Sequence, residues 1–120
     1  MREWFVEHGA LARGAFAVAV LVSLAVLFAP PSDVPSSPPG VDKLVHAGLF
    51  LVLAFTSRWA GIREVLVGVA LVGYAAVSEV VQGTDLVGRD ASAGDWVADV
   101  VGVALGLLLW RSVARVRPPA

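Results

Sequence analysis

The sequence predicts an all-α, polytopic membrane protein, a four-transmembrane-helix bundle with both termini cytoplasmic. Three observations lead there. Of the 120 residues, 58% are hydrophobic and only 16% charged, with a mean hydropathy of +0.79, whereas a water-soluble domain carries about 45–50% apolar and roughly 25% charged residues. The apolar residues gather in four stretches separated by short polar connections, and a backbone that crosses lipid must satisfy its own hydrogen bonds, which favours helices. Most of the basic residues fall on one side of those stretches, the side that stays cytoplasmic. At about 20 residues per spanning helix, residues 1–120 read as a single domain with room for four spans and little besides. A water-soluble core, a disordered tail and a nucleic-acid partner are all disfavoured; the lipid bilayer is the partner this composition implies. The chain has no cysteine, which removes disulfides, thiolate metal sites and cysteine nucleophiles from its chemistry.

The first span covers about residues 10–29 and stops at Pro30 and Pro31, which cannot continue a helix. Arg2 precedes it and Arg13 lies near its start, as in a signal peptide. A cut after Ala29, however, would place the large Leu27 where a small residue is needed and Pro30 just beyond, so the span reads as a retained anchor. The run PPSDVPSSPPG over 30–40 is expected to be an extended spacer. The second span, about 43–57, is shorter than a full crossing and carries His46, with Asp42 placed to cap it. Gly61 separates it from the third span, about 62–82, which Gly83 follows. The fourth, about 95–111, is preceded by Ser92-Ala93-Gly94-Asp95, the spacing of a capping box.

Orientation follows from the charges. Arg2, Arg13, Arg58, Arg63, Arg111, Arg115 and Arg117 lie on one side, and only Lys43 and Arg89 on the other. The first side is therefore cytoplasmic, and the connections 30–42 and 83–94 are external. Trp4, Trp59 and Trp110 are then expected at the inner interface and Trp96 at the outer one. The formal net charge of -1 conceals a polarised molecule: the inner side carries a balance of +4 and the outer half one of -5, because Asp33, Asp42, Glu79, Asp85, Asp90, Asp95 and Asp99 all fall outward.

His46, Glu79 and Asp99 sit inside apolar spans, where a charge costs several kcal/mol unless it is paired or solvated. All three lie towards the outer ends of their helices, which points to one shared polar pocket. Asp42, His46 and Phe50 step by four along one helix face, with Lys43 beside them. Glu79 and Gln82 are three apart. Asp95, Asp99, Gly102 and Gly106 also share a face, and the glycines would let that face pack closely on a neighbour. Three of these residues keep two readings open. Asp42 is a helix cap or a site residue; Asp95 is part of a capping box or of the pocket; Glu79 is functional or forms a structural ion pair with Arg89 or Lys43.

The ordered run Asp42-Lys43-x-x-His46-x-x-x-Phe50, Glu79-x-x-Gln82, Arg89, then Asp95-x-x-x-Asp99-x-x-Gly102-x-x-x-Gly106 resembles the VanZ-like family of small integral membrane proteins. The likeness covers about residues 42–106. Asp99 stands where that family usually has Asn, so it is either a neutral hydrogen-bonding group or a second carboxylate. The resemblance implies a cell-envelope role, linked through the family's name-giving member to low-level resistance to the glycopeptide teicoplanin, and implies no particular reaction.

The reading of the residues is a pocket at the outer leaflet that binds or processes an anionic lipid-linked headgroup, a polyprenyl-phosphate-linked envelope precursor being the natural candidate. His46, Glu79 and Asp99 are the candidate catalytic residues. Asp42, Lys43, Gln82, Arg89 and Asp95 are the candidate binding residues, with Lys43 and Arg89 as the external cations a phosphate needs. His46, Glu79, Asp95 and Asp99 have acceptable metal-ligand chemistry, but they are dispersed over three helices, and the sequence assigns neither a metal nor another cofactor. Two rival readings stand beside this one: a small proton- or ion-coupled transporter in which Glu79 and His46 relay protons, and a non-catalytic membrane assembly subunit fastened by the polar cluster.

Overall fold

A computed structural model describes residues 9–28, 40–82 and 93–116. The Pro/Ser-rich spacer up to residue 39, Trp4, Arg89 and the Ser92 end of the expected capping box lie outside the described residues, as does the side chain of Asp42. The described chain is all-helical: α1 (Ala10–Phe28), α2 (Val41–Trp59), α3 (Glu64–Gln82) and α4 (Ala93–Val116). Three of these helices, α1, α3 and the Ala93–Ala114 part of α4, are long and apolar enough to cross a membrane. Their outward surfaces are apolar, with Leu21, Val65, Val69 and Val80 among the exposed side chains; lipid rather than water suits such faces.

The second helix departs most from its expected bounds. It begins two residues before Lys43, because Gly40 takes the N-cap position with a left-handed φ of 87°, a conformation glycine adopts without steric cost. Asp42 is therefore not the cap; it lies in the first turn. At the other end α2 runs on to Trp59 and closes in a Schellman turn. Gly61, at φ 99°, donates its N–H to Arg58 O, and Ile62 donates to Ser57 O, each at 3.0 Å. Arg58 Nη1 adds a bond to Ile62 O at 2.7 Å, so the connection into α3 is tight.

Side-chain contacts fix the order as up-down-up-down. Lys43 at the start of α2 meets Asp95 at the start of α4, and Gln82 at the end of α3 meets Leu27 at the end of α1. At the opposite end Arg111 of α4 grips Glu64 of α3 through two hydrogen bonds of 2.7 and 2.6 Å. Helices α2 and α4 thus run parallel to each other and form the most intimate pair. Glycine is the reason. A Cβ built on Gly102 would strike the carbonyl of Ala47, and one on Gly106 would strike the carbonyl of Leu51 and come within 2.7 Å of Ala54 Cβ. The two backbones touch where a side chain would hold them apart.

Along the middle of the bundle Phe50, Leu53, Ala54, Val67, Leu71 and Val103 form the apolar core. Tyr74 lies against it, its ring 5.7 Å from that of Phe50 and 6.5 Å from that of Phe28, with its hydroxyl 2.9 Å from Ser23 Oγ. A second cluster joins Ala12, Trp59 and Trp110. Phe55 meets the rings of Trp59 and Trp110 at 6.4 and 5.4 Å, edge to face. These two tryptophans were expected at a lipid interface; they share one end of the bundle as expected, but Trp59 is 8% and Trp110 1% exposed, so they seal that end from inside. An apolar groove lies between α1 and α2, lined by Gly14, Val18 and Val22 on one side and Val45, Gly48 and Val52 on the other.

Candidate functional site

The polar residues singled out in the sequence converge at the Lys43 end of the bundle. His46 stands in the second turn of α2, Asp99 in the second turn of α4 and Glu79 in the last turn of α3. One ligating atom from each lies within 4.8 Å of the others. The close passage of α2 over Gly102 and Gly106 brings the first two together. Because the helices run parallel, Lys43 pairs with Asp95 and, one turn deeper, His46 pairs with Asp99. Phe50, one turn below His46, is fully buried and begins the apolar core beneath the cluster.

The His46–Asp99 contact is the centre of the site. Nδ1 of the imidazole donates to Oδ1 of the carboxylate at 2.8 Å, with both side chains almost wholly removed from solvent. A carboxylate on one ring nitrogen fixes the orientation and tautomer of the ring, the arrangement that prepares an imidazole for proton transfer or for ligation. The second oxygen of Asp99, Oδ2, is buried and has no hydrogen-bond partner among the described residues. Buried polar atoms of that kind are rare in native structures. Glu79, 7% exposed, adds a second carboxylate. Two full negative charges no more than 4.8 Å apart would repel by at least about 3 kcal/mol at an effective dielectric of about 20; a proton or a cation among them offsets that cost.

At the mouth Lys43 Nζ donates to Asp95 Oδ1 at 3.1 Å. The lysine side chain is 48% exposed and that of Asp95 11%, so the ammonium can be reached from outside while its partner is held beneath. Asp95 thus engages across the helix pair, and Ser92, which the capping box needs, is outside the described residues. Gln82, read in the sequence as a binding residue, is buried and reaches α1. Its Nε2 donates to Leu27 O at 2.7 Å, a carbonyl in the last turn of α1, and so it ties α3 to α1. Arg89 and the side chain of Asp42 are outside the described residues.

Sequence reasoning passed over Tyr74 and Ser23, which link α3 to α1 in the layer of Phe50. Each is a lone polar residue in an apolar run, with no periodic partner to announce it. Ser78, beside Glu79, is fully buried and returns its hydroxyl to Ala75 O at 3.0 Å. No protein-family model matches the chain, and no curated protein or solved structure matches it.

Proposed function

We propose that the chain is a cell-envelope membrane protein with four spans and cytoplasmic termini, similar to the VanZ-like family, and that its Lys43 end is a pocket at the outer leaflet for an anionic lipid-linked headgroup. The observation that carries this reading is the convergence of His46, Glu79 and Asp99 under the Lys43–Asp95 pair, at the end of the bundle that the charge asymmetry of the sequence assigns to the outside. In this reading α2 is the fourth span. Its 19 residues make a rod of about 28 Å at 1.5 Å per residue, close to the ~30 Å hydrocarbon thickness, and its Lys43 and His46 side chains pair with carboxylates of α4. Lys43 meets the headgroup phosphate at the mouth, and His46, oriented by Asp99, is placed to hold the headgroup or to move a proton on it. A polyprenyl phosphate presents this combination of an anionic head and a membrane-dissolved tail.

The test is binding of polyprenyl phosphate to the chain reconstituted in nanodiscs. Lys43→Ala and Arg89→Ala are expected to weaken binding at least about tenfold, the size of one lost charge-assisted contact; unchanged binding in both variants would contradict the reading.

One observation favours a second reading, that of an assembly subunit fastened by its polar groups: the Gln82–Leu27 and His46–Asp99 bonds each join different helices. The two readings part at Glu79→Gln. A binding site loses its ligand while the fold keeps its melting temperature in detergent, whereas a fastening loses both together. The carrier reading finds less to support it, because the described core between the cluster and the Trp110 end is built mainly from Phe50, Leu53, Ala54, Val67, Leu71 and Val103, and the Ser23 and Tyr74 hydroxyls in the Phe50 layer are bonded to each other.

A further inference from the structure

We infer that His46, Glu79 and Asp99 form a binding site for one divalent transition-metal cation of the Zn2+ or Mn2+ class. The inference rests on the pocket proposed above and deepens that reading, because a cation there supplies positive charge that a phosphate needs in a site otherwise rich in carboxylates. Its own grounds are the side chains. One ligating atom from each residue falls within 4.8 Å of the others, and the three come from α2, α3 and α4, so helix packing rather than a loop holds them. All three are buried, at 3%, 7% and 0% exposure. Asp99 Oδ2 is a buried oxygen with no hydrogen-bond partner among the described residues, an acceptor whose burial a cation would compensate.

The donor set selects the class of ion. One imidazole nitrogen with two carboxylate oxygens suits Zn2+ and Mn2+. Calcium takes six to eight oxygens, and magnesium keeps most of its water. Three protein ligands leave a coordination position for an outside oxygen; in the headgroup reading that oxygen is a phosphate's. Gly102 and Gly106 belong to this account, since their contact with Ala47 and Leu51 sets the distance between the helices that carry His46 and Asp99.

The experiment uses the full chain without an affinity tag, reconstituted in nanodiscs and stripped with a chelator. It is then titrated separately with Zn2+, Mn2+ and Ca2+, with the metal retained after desalting counted by elemental analysis and bound Mn2+ followed by electron paramagnetic resonance. One Zn2+ or Mn2+ per chain is expected, with Ca2+ bound far more weakly. Asp99→Asn and Glu79→Gln should each lower the affinity at least about tenfold, and Glu64→Gln, at the far end of α3, should leave it unchanged. Circular-dichroism melting identifies which variants are folded; should Asp99→Asn fail to fold, Glu79→Gln carries the comparison. Retention of well under one metal per wild-type chain, or equal affinity in a folded site variant, would overturn the inference. Titrating polyprenyl phosphate with and without Mn2+ separates the two levels. Lipid binding without metal uptake overturns this inference and leaves the headgroup reading standing, whereas metal uptake without lipid binding does the reverse.

Discussion

His46 and Asp99 are each buried, so neither can exchange its partner for water. Replacing His46 with Ala leaves a carboxylate in the interior without its donor, and the expected cost is about 1–3 kcal/mol, read as a lower melting temperature in detergent. Asp99→Asn keeps an oxygen that accepts from Nδ1 and should melt closer to the wild type; if it were the less stable of the two, the pairing would not be what holds this end together. Lys43 is the opposite case. Its side chain is about half exposed, and exposed ion pairs contribute only about 0–1 kcal/mol, so Lys43→Ala is expected to leave the melt almost unchanged while removing the headgroup contact. The sequence made His46, Glu79 and Asp99 legible because an ionisable residue inside an apolar span is costly and therefore conspicuous. Gln82 was legible as a hydrogen-bonding residue but not as the partner of Leu27 O, because that depends on how far α1 reaches beside α3, which no spacing within α3 encodes.

Among the elements, α2 and α4 decide the site. Their backbones meet at Gly102 and Gly106, and a methyl group at Gly102 has nowhere to go but into the Ala47 carbonyl. Gly102→Ala is therefore expected to cost about 1–3 kcal/mol, the range for overpacking, and to part His46 from Asp99. Gly48→Ala on the other face of α2 is the control, since a Cβ there meets nothing within 4 Å. It should be neutral or slightly stabilising, because a glycine inside a helix is about 0.5–1 kcal/mol worse than alanine. Melting the two variants side by side checks the claim, and equal effects would contradict close packing at Gly102. The spacing of Asp95, Asp99, Gly102 and Gly106 announced this face, since small residues one turn apart signal close helix approach. The ends of α2 were not announced. Asp42 is a good cap by residue type, yet Gly40 starts the helix earlier, and the Schellman turn around Gly61 carries α2 to Trp59.

At the scale of the whole molecule, polarity is sorted by end. The titratable cluster and the Lys43–Asp95 pair occupy one end, the Trp59–Phe55–Trp110 packing and the Arg111–Glu64 pair the other, with an apolar core between. Four helices were legible in the sequence because hydropathy and proline placement alone mark them. The burial of Trp59 and Trp110 was not, because composition places tryptophan near an interface without saying whether it faces lipid or a neighbouring helix. The expected orientation is directly testable, because the chain has no cysteine and any introduced one is unique. Ser36→Cys should react with a membrane-impermeant maleimide added to intact cells, and Arg63→Cys only after permeabilisation; the reverse pattern would place the cluster on the cytoplasmic side. The most direct measurement is native mass spectrometry of the chain released from its own membrane, reading the mass of whatever lipid remains bound. A single anionic lipid that stays with the wild type and with Glu64→Gln, and is lost from Lys43→Ala, is the expected result. A chain carrying no lipid beyond the bulk mixture, or the same lipid retained equally by Lys43→Ala, would contradict a headgroup site at this end of the bundle.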